Sequence, residues 1–190
     1  ISYKPQYLTN DIDIEVVTVL NKANGEPIED STEEEQIIEP LKIKKLYNKS
    51  MKNLSGGELQ KVAVASCLLQ KVDLYALDEP SAFLDVEDRI AVGKFLQKFC
   101  RSFGKSAIVI DHDLQLMDLV SDSMVIFEGT SSVEGYATSP LPKIDAMNRF
   151  LKSLDITFRR DEKSRRPRVN KDGSRLDKDQ KGSQNYYYKK

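Results

Sequence analysis

Two short apolar runs, each closed by acids, bracket one amphipathic helix, and few folds accommodate that order. Residues 74–77 (Leu-Tyr-Ala-Leu) run into Asp78 and Glu79, and residues 107–110 (Ala-Ile-Val-Ile) run into Asp111, His112 and Asp113. Between them Val92, Phe95, Leu96, Phe99 and Phe103 recur at helical spacing within residues 86–103. Apolar runs this short, without alternation, suit strands buried in a parallel sheet. Strand, helix and strand in that order make a crossover unit, so the fold class is α/β with a mostly parallel sheet and flanking helices. Ligands of open α/β sheets bind beyond the carboxyl ends of the strands, where both acidic runs fall.

The remaining segments extend that frame. Residues 1–3 read as the end of a strand, broken by Pro5 and Gln6. Residues 14–20 are a short apolar stretch, and the acidic residues 24–35 a surface loop leading into a helix. Residues 36–47 are partly helical and interrupted by Pro40. A strong helix start lies at residues 55–70, another helix at 114–120 and a third strand at 124–127. Ile144, Met147, Leu151 and Leu154 mark a last helix. No internal repeat is visible.

Charge divides the chain. Residues 158–190 hold 12 Lys/Arg against 5 Asp/Glu, and residues 1–157 hold 17 against 25. An acidic, apolar-patterned body (1–157) therefore precedes a basic, apolar-poor tail (158–190). The sign suits a phosphate-rich partner such as RNA, although charge by itself favours a solvated, flexible end. Hydrophobic residues make up 39% of the 190, which excludes collagen-like, mucin-like and wholly disordered classes. Two cysteines, Cys67 and Cys100, make neither a disulfide framework nor a metal site, and suggest a reducing compartment. No apolar run approaches the ~20 residues that span a bilayer, and the expectation from the first residues is that a secretory signal is absent.

Three further groups carry candidate chemistry. Ser55 and Glu58 form a capping box around Gly56 and Gly57. Such a helix start offers unpaired N–H groups and the positive end of the helix dipole to an anion, though taken alone it reads as an ordinary capped helix. Asp78 could hold Mg²⁺ and Glu79 could polarise a water, or the pair could be a plain acidic junction. Asp85 could be no more than an N-cap. His112 is the only histidine, and two successive strands deliver Asp78, Glu79 and His112 to one sheet edge.

LSGGELQ, LYALDEP, SAFLD and IVIDHD, in that order and spacing, resemble the ATPase domain of the ATP-binding cassette (ABC) superfamily. The resemblance makes LSGGELQ the signature motif, LYALDE the Walker B motif, SAFLD the D-loop, His112 the switch histidine and Lys4-Pro5-Gln6 the Q-loop. It implies a P-loop ATPase fold with a helical signature subdomain, and ATP and Mg²⁺ as ligands. Glu79 would orient the attacking water and His112 would contact the γ-phosphate. Gln6 would contact Mg²⁺ and that water, with Asp78 on Mg²⁺. Ser55, Gly56, Gly57 and Glu58 would form the signature that grips a partner cassette's γ-phosphate, and Asp85 would link the two sites.

DEPSAFLD at residues 78–85 and ITFRRDEKSRRPRVN at residues 156–170 resemble the second nucleotide-binding domain of the ribosome-recycling ABC ATPases, subfamily E, also called RNase L inhibitor. That family implies a second cassette of the same protein, a ribosomal subunit, and release or initiation factors as partners. It also implies a cytoplasmic location, no membrane, and a hinge-like tail that could touch rRNA. Iron–sulfur clusters belong to an N-terminal domain of the family whose cysteine cluster is not among these residues. Two rivals share the core motifs: a membrane-transporter ATPase subunit, and a chromosome-maintenance ATPase, which the 48 residues between Gln6 and Ser55 disfavour. A third reading is a docking module without activity.

Three departures qualify the resemblance. No GxxxxGK[ST] phosphate loop occurs in the 190 residues, so the expectation is an N-terminally incomplete cassette, unable to bind ATP tightly or hydrolyse it alone. Asp111 stands where the subfamily has Glu, a shorter arm expected to change little. The acidic segment 24–35 is expected to be a surface insertion.

Overall fold

A computed structural model describes residues 1–130, 132–161 and 167–188. The chain forms two compact units, residues 1–120 and 121–190, so the composition boundary at residue 157 lies within the second.

The first unit runs β1 (Ser2–Lys4), α1 (Val16–Asn24), a π-helical turn (Glu34–Ile38), 3₁₀ turns (Lys44–Leu46 and Met51–Asn53), α2 (Gly56–Leu68), β2 (Leu74–Asp78), α3 (Val86–Phe103), β3 (Ser106–Ile110) and α4 (Leu114–Val120). The strands form one parallel sheet in the order β1-β2-β3. Lys4 is in register with Leu77, and Asp78 with Ile110. All three strands therefore end along one margin.

α2 is the central helix. Leu59, Val62, Val64, Ala65 and Leu68 are buried around its circumference, as in a helix enclosed by its own domain. It packs with Leu20, Ile38, Leu46, Tyr75, Leu77 and Phe99 in one apolar core. Each such side chain contributes roughly 1.5–3 kcal/mol by leaving water. α3 starts on Asp85, whose side chain accepts from the Asp88 N–H at 2.8 Å, and stops on Gly104 in the left-handed region (φ 60). Gly93 lets α4 close on α3, since a Cβ there would stand 2.7 Å from Leu116 Cδ1.

Several expectations meet a different structure. β3 is not buried: Ile108 and Ile110 are 55% and 58% exposed, because they lie on the sheet face shared with the exposed Tyr3, opposite the face on which Tyr75 and Leu77 are buried. Residues 124–127 do not form one strand. Ser123–Met124 (β4) pairs antiparallel with Leu141–Pro142 (β7), and Phe127–Thr130 (β5) forms a hairpin with Glu134–Ala137 (β6). The acidic segment does lie at the surface and lead into the Glu34–Ile38 turn, with two buried anchors. Ile28 is wholly buried, and the buried Glu34 carboxylate accepts from Tyr47 Oη at 2.7 Å and the Asp30 N–H at 3.0 Å.

In the second unit α5 (Lys143–Ser153) packs on β4 and β7 through its buried Ala146, Met147 and Leu151. The basic tail is folded over its described residues: Phe158–Arg160 (β8) pairs with Pro167–Val169 (β9), followed by α6 (Arg175–Gly182). Phe158, Tyr186 and Tyr187 are buried, so this stretch is not a solvated end. Residues 162–166, the middle of the FRRDEKSRRPR stretch, lie outside the described residues, as do 189–190.

Candidate functional site

Strand register builds the site. Glu79 lies two residues beyond Leu77, and Gln6 two beyond its register partner Lys4. Asp111 and His112 follow Ile110, the partner of Asp78. The margin thus carries Gln6, Asp78, Glu79, Asp111 and His112 from three strands. Glu79 Oε1 is 3.6 Å from His112 Nδ1, with the carboxylate side chain 26% exposed and the imidazole 79% exposed.

The turn after β2 is firmly held. Glu79 has φ 45, the left-handed region that a side chain disfavours. Its N–H donates to Ile110 O at 2.7 Å, and its carbonyl accepts from Gln60 Nε2 at 2.6 Å, the Ala82 N–H at 3.2 Å and Lys4 Nζ at 3.3 Å. Lys4 Nζ also donates to Asp78 O at 2.6 Å, although the residue is almost wholly buried. Burial pushes the Lys4 ammonium below its ordinary pKa, against the pull of Asp78, Asp111 and Glu79. Farther along, Asp111 accepts from the Ser81 N–H (3.2 Å), Ser81 Oγ (3.0 Å) and the Asp113 N–H (2.8 Å). Arg89 pairs with Asp113 and donates to Leu84 O. The loops after β2 and β3 are therefore cross-tied.

At the start of α2, Ser55 and Glu58 form the capping box in full. Lys49 Nζ sits 2.8 Å from the Glu58 carboxylate. That contact, with hydrogen bonds from the Ser55 N–H and Oγ, holds the Glu58 pKa at about 2. The glycines serve a close approach to the turn after β2. A Cβ on Gly56 would stand 3.2 Å from the Phe83 side chain, and one on Gly57 3.0 Å from the Phe83 carbonyl oxygen. Asp85 is occupied as the α3 cap through one carboxylate oxygen.

The structure brings Asp78, Glu79 and His112 together with Gln6 at one margin and seats the Ser55–Glu58 start against the same turn through Phe83. Lys4 and Gln60 were missed as site residues. Lys4 opens the Lys4-Pro5-Gln6 stretch and Gln60 closes LSGGELQ, but membership of a motif names no hydrogen-bond target. For a divalent cation the donor set is Asp78 and Gln6, a carboxylate and an amide carbonyl. That sparse oxygen set fits Mg²⁺ carried by phosphates and water rather than a cation held by protein alone. Among the described residues no helix is long and apolar enough to cross a membrane.

The family model described as ABC transporter matches residues 1–82. An uncharacterized ABC transporter ATP-binding protein of Methanocaldococcus jannaschii is 45% identical over 99% of this chain and 31% of its own length. Translation initiation factor RLI1 of Chaetomium thermophilum is 37% identical over the same shares. Among solved structures, an archaeal ribosome recycling factor in complex with the archaeal ribosomal stalk protein aP1 superposes with a TM-score of 0.89 at 43% identity, covering 99% of this chain and 36% of that one. The chain spans about a third of the length of these relatives.

Proposed function

Because the chain belongs to the RNase L inhibitor family of ABC ATPases, subfamily E, we propose that it is the greater part of the second nucleotide-binding cassette of a ribosome-recycling factor. Members of the ABC family bind nucleotide with Mg²⁺ and hydrolyse ATP. In this reading Glu79 takes a proton from a water whose oxygen attacks the γ-phosphorus as the bond to ADP breaks. The reading rests on the 3.6 Å approach of His112 to Glu79 at a shared strand margin.

The same reading gives the other residues their roles. His112, mostly exposed, contacts the γ-phosphate, and Gln6 senses it. Ser55, Gly56 and Gly57 direct N–H groups to the γ-phosphate of ATP on the opposite cassette, with Glu58 fixing the helix start. Asp85 caps α3 and borders the opposite cassette. Asp78 and Gln6 would hold Mg²⁺, which supplies positive charge for the terminal phosphates when bound. Closure requires ATP because its γ-phosphate provides interactions made only in the closed state. Without a GxxxxGK[ST] loop these residues alone bind ATP weakly and do not turn it over.

The partners in this reading are a second cassette of the same protein, a ribosomal subunit in the cytoplasm and the factors acting with it, with the basic tail serving as a hinge beside rRNA. The test is Glu79→Gln in the full-length protein. ATPase activity should fall by about 10²–10⁴-fold, while the variant still binds ATP and co-sediments with ribosomal subunits when ATP is present. Hydrolysis at the parent rate removes Glu79 from the mechanism. Sedimentation with membranes instead of ribosomes removes the recycling role.

A further inference from the structure

Gln60 is wholly buried, yet its side chain is only half satisfied. Nε2 donates to Glu79 O at 2.6 Å, while Oε1 is buried with no hydrogen-bond partner among the described residues. An unpaired buried amide oxygen costs about 1–3 kcal/mol. A methionine or leucine would occupy a similar volume without that penalty. Stability therefore does not account for an amide here, and the bond that it does make becomes the point of interest.

That bond ends on the most constrained backbone of the site. Glu79 is held in the left-handed region (φ 45) with its N–H on Ile110 O. Such a conformation costs on the order of 1–3 kcal/mol and persists only where the surroundings impose it. Gln60 makes the shortest of the hydrogen bonds that Ala82, Lys4 and Gln60 direct to the Glu79 carbonyl. Fixing the carbonyl and the N–H fixes the Cα–Cβ direction, and hence the path of the carboxylate toward His112.

Gln60 is also three residues after Gly57, less than one turn along the same helix. A hydrogen-bonded helix does not flex over so short a span, so a displacement of its start reaches residue 60 undiminished. The start already presses on the turn after β2, at Phe83.

We infer that Gln60 is a positioning residue: its amide ties the start of α2 to the backbone of Glu79, so that grip on a phosphate at Ser55–Gly57 and water activation at Glu79 move as one body. The inference rests on the proposed roles of Glu79 and of the helix start. It makes the ATP held against one face of the cassette a determinant of hydrolysis at the other.

The experiment compares Gln60→Met, Gln60→Leu and Glu79→Gln in the full-length protein with MgATP. Both Gln60 variants delete the donor and the unpaired oxygen together. The expected result is a fall in kcat of about ten- to a hundred-fold, the scale of a small misplacement of a catalytic group. KM for ATP should stay within about two-fold, and the melting temperature should hold or rise. A parent-like kcat in both variants overturns the inference. So does a kcat loss matched by a lowered melting temperature, because that marks a purely structural residue. If Glu79→Gln hydrolyses ATP normally, the reading of Glu79 fails. If it is inert while the Gln60 variants are normal, only the inference about Gln60 fails.

Discussion

His112 Nδ1 lies 3.6 Å from Glu79 Oε1, although the two residues come from different strands and sit 33 positions apart in the sequence. β2 and β3 are in register with Asp78 beside Ile110, so Glu79, one residue past Asp78, and His112, two past Ile110, emerge at the same margin. Replacing His112 by Ala in the full-length protein should cut kcat by about 10²-fold or more, with ATP binding retained. Equilibrium binding of ATP together with steady-state turnover checks this, and unchanged turnover contradicts it.

Gly57 has the least room of the signature residues. Its added Cβ would meet the Phe83 carbonyl oxygen at 3.0 Å, and a backbone oxygen cannot swing aside as a side chain can. Gly57→Ala should force α2 away from the turn after β2. The expected loss is about 1–3 kcal/mol of overpacking strain, partly offset by the roughly 1 kcal/mol that Ala gains over Gly in a helix. Thermal melting measures the net effect, and a melting temperature well above the parent's would show that the turn does not bear on the helix.

Asp111 is the acceptor that joins the two catalytic loops. Asp111→Ala leaves the buried Ser81 N–H and hydroxyl without their partner, at a cost of about 1–3 kcal/mol. Amide hydrogen exchange should accelerate at residues 79–84 in particular. Asp111→Asn, which keeps an acceptor oxygen, should lose less. Equal protection in all three proteins would remove Asp111 from this role.

The α2 start should loosen in acid. The Lys49 ammonium and the Ser55 donors hold Glu58 at about 2, below its ordinary 4.5. A carboxylate whose folded pKa is depressed gives stability that is fully present above about 4.5 and is lost as pH falls toward about 2. Glu58→Gln should therefore flatten the decline of stability across that window, as well as weaken the cap by about 1 kcal/mol at neutral pH. Melting curves collected across the window decide it: parallel declines in parent and variant would mean that Glu58 is not the group responsible.

Much of this was legible in the sequence because it depends on local chemistry. Ser55 and Glu58 three residues apart dictate a capping box, and apolar runs ending in Asp78 and Asp111 dictate parallel strands whose ends carry acids. What escaped depends on distant partners. That Gln60 reaches the Glu79 carbonyl follows from how α2 lies on the sheet, which no helical period encodes. Lys4 reads as the residue between a strand end and Pro5 until its ammonium is seen on the Asp78 and Glu79 carbonyls. The exposure of Ile108 and Ile110 escaped for the opposite reason: four consecutive apolar residues look the same whether both faces of a strand are covered or only one. The tail's fold was hidden by its charge, which masks the few anchors, Phe158, Tyr186 and Tyr187.

That open flank of β3 has a consequence for handling the chain. Among the described residues the β3 ladder has one side unpaired, and such a side with isoleucines nearby is a template for another extended segment. At high concentration two copies of the isolated chain would zip together there, and salting-out agents would hasten the process. Lysine in place of Ile108 should keep such preparations clear and leave the melting temperature nearly untouched, since that side chain already stands in water.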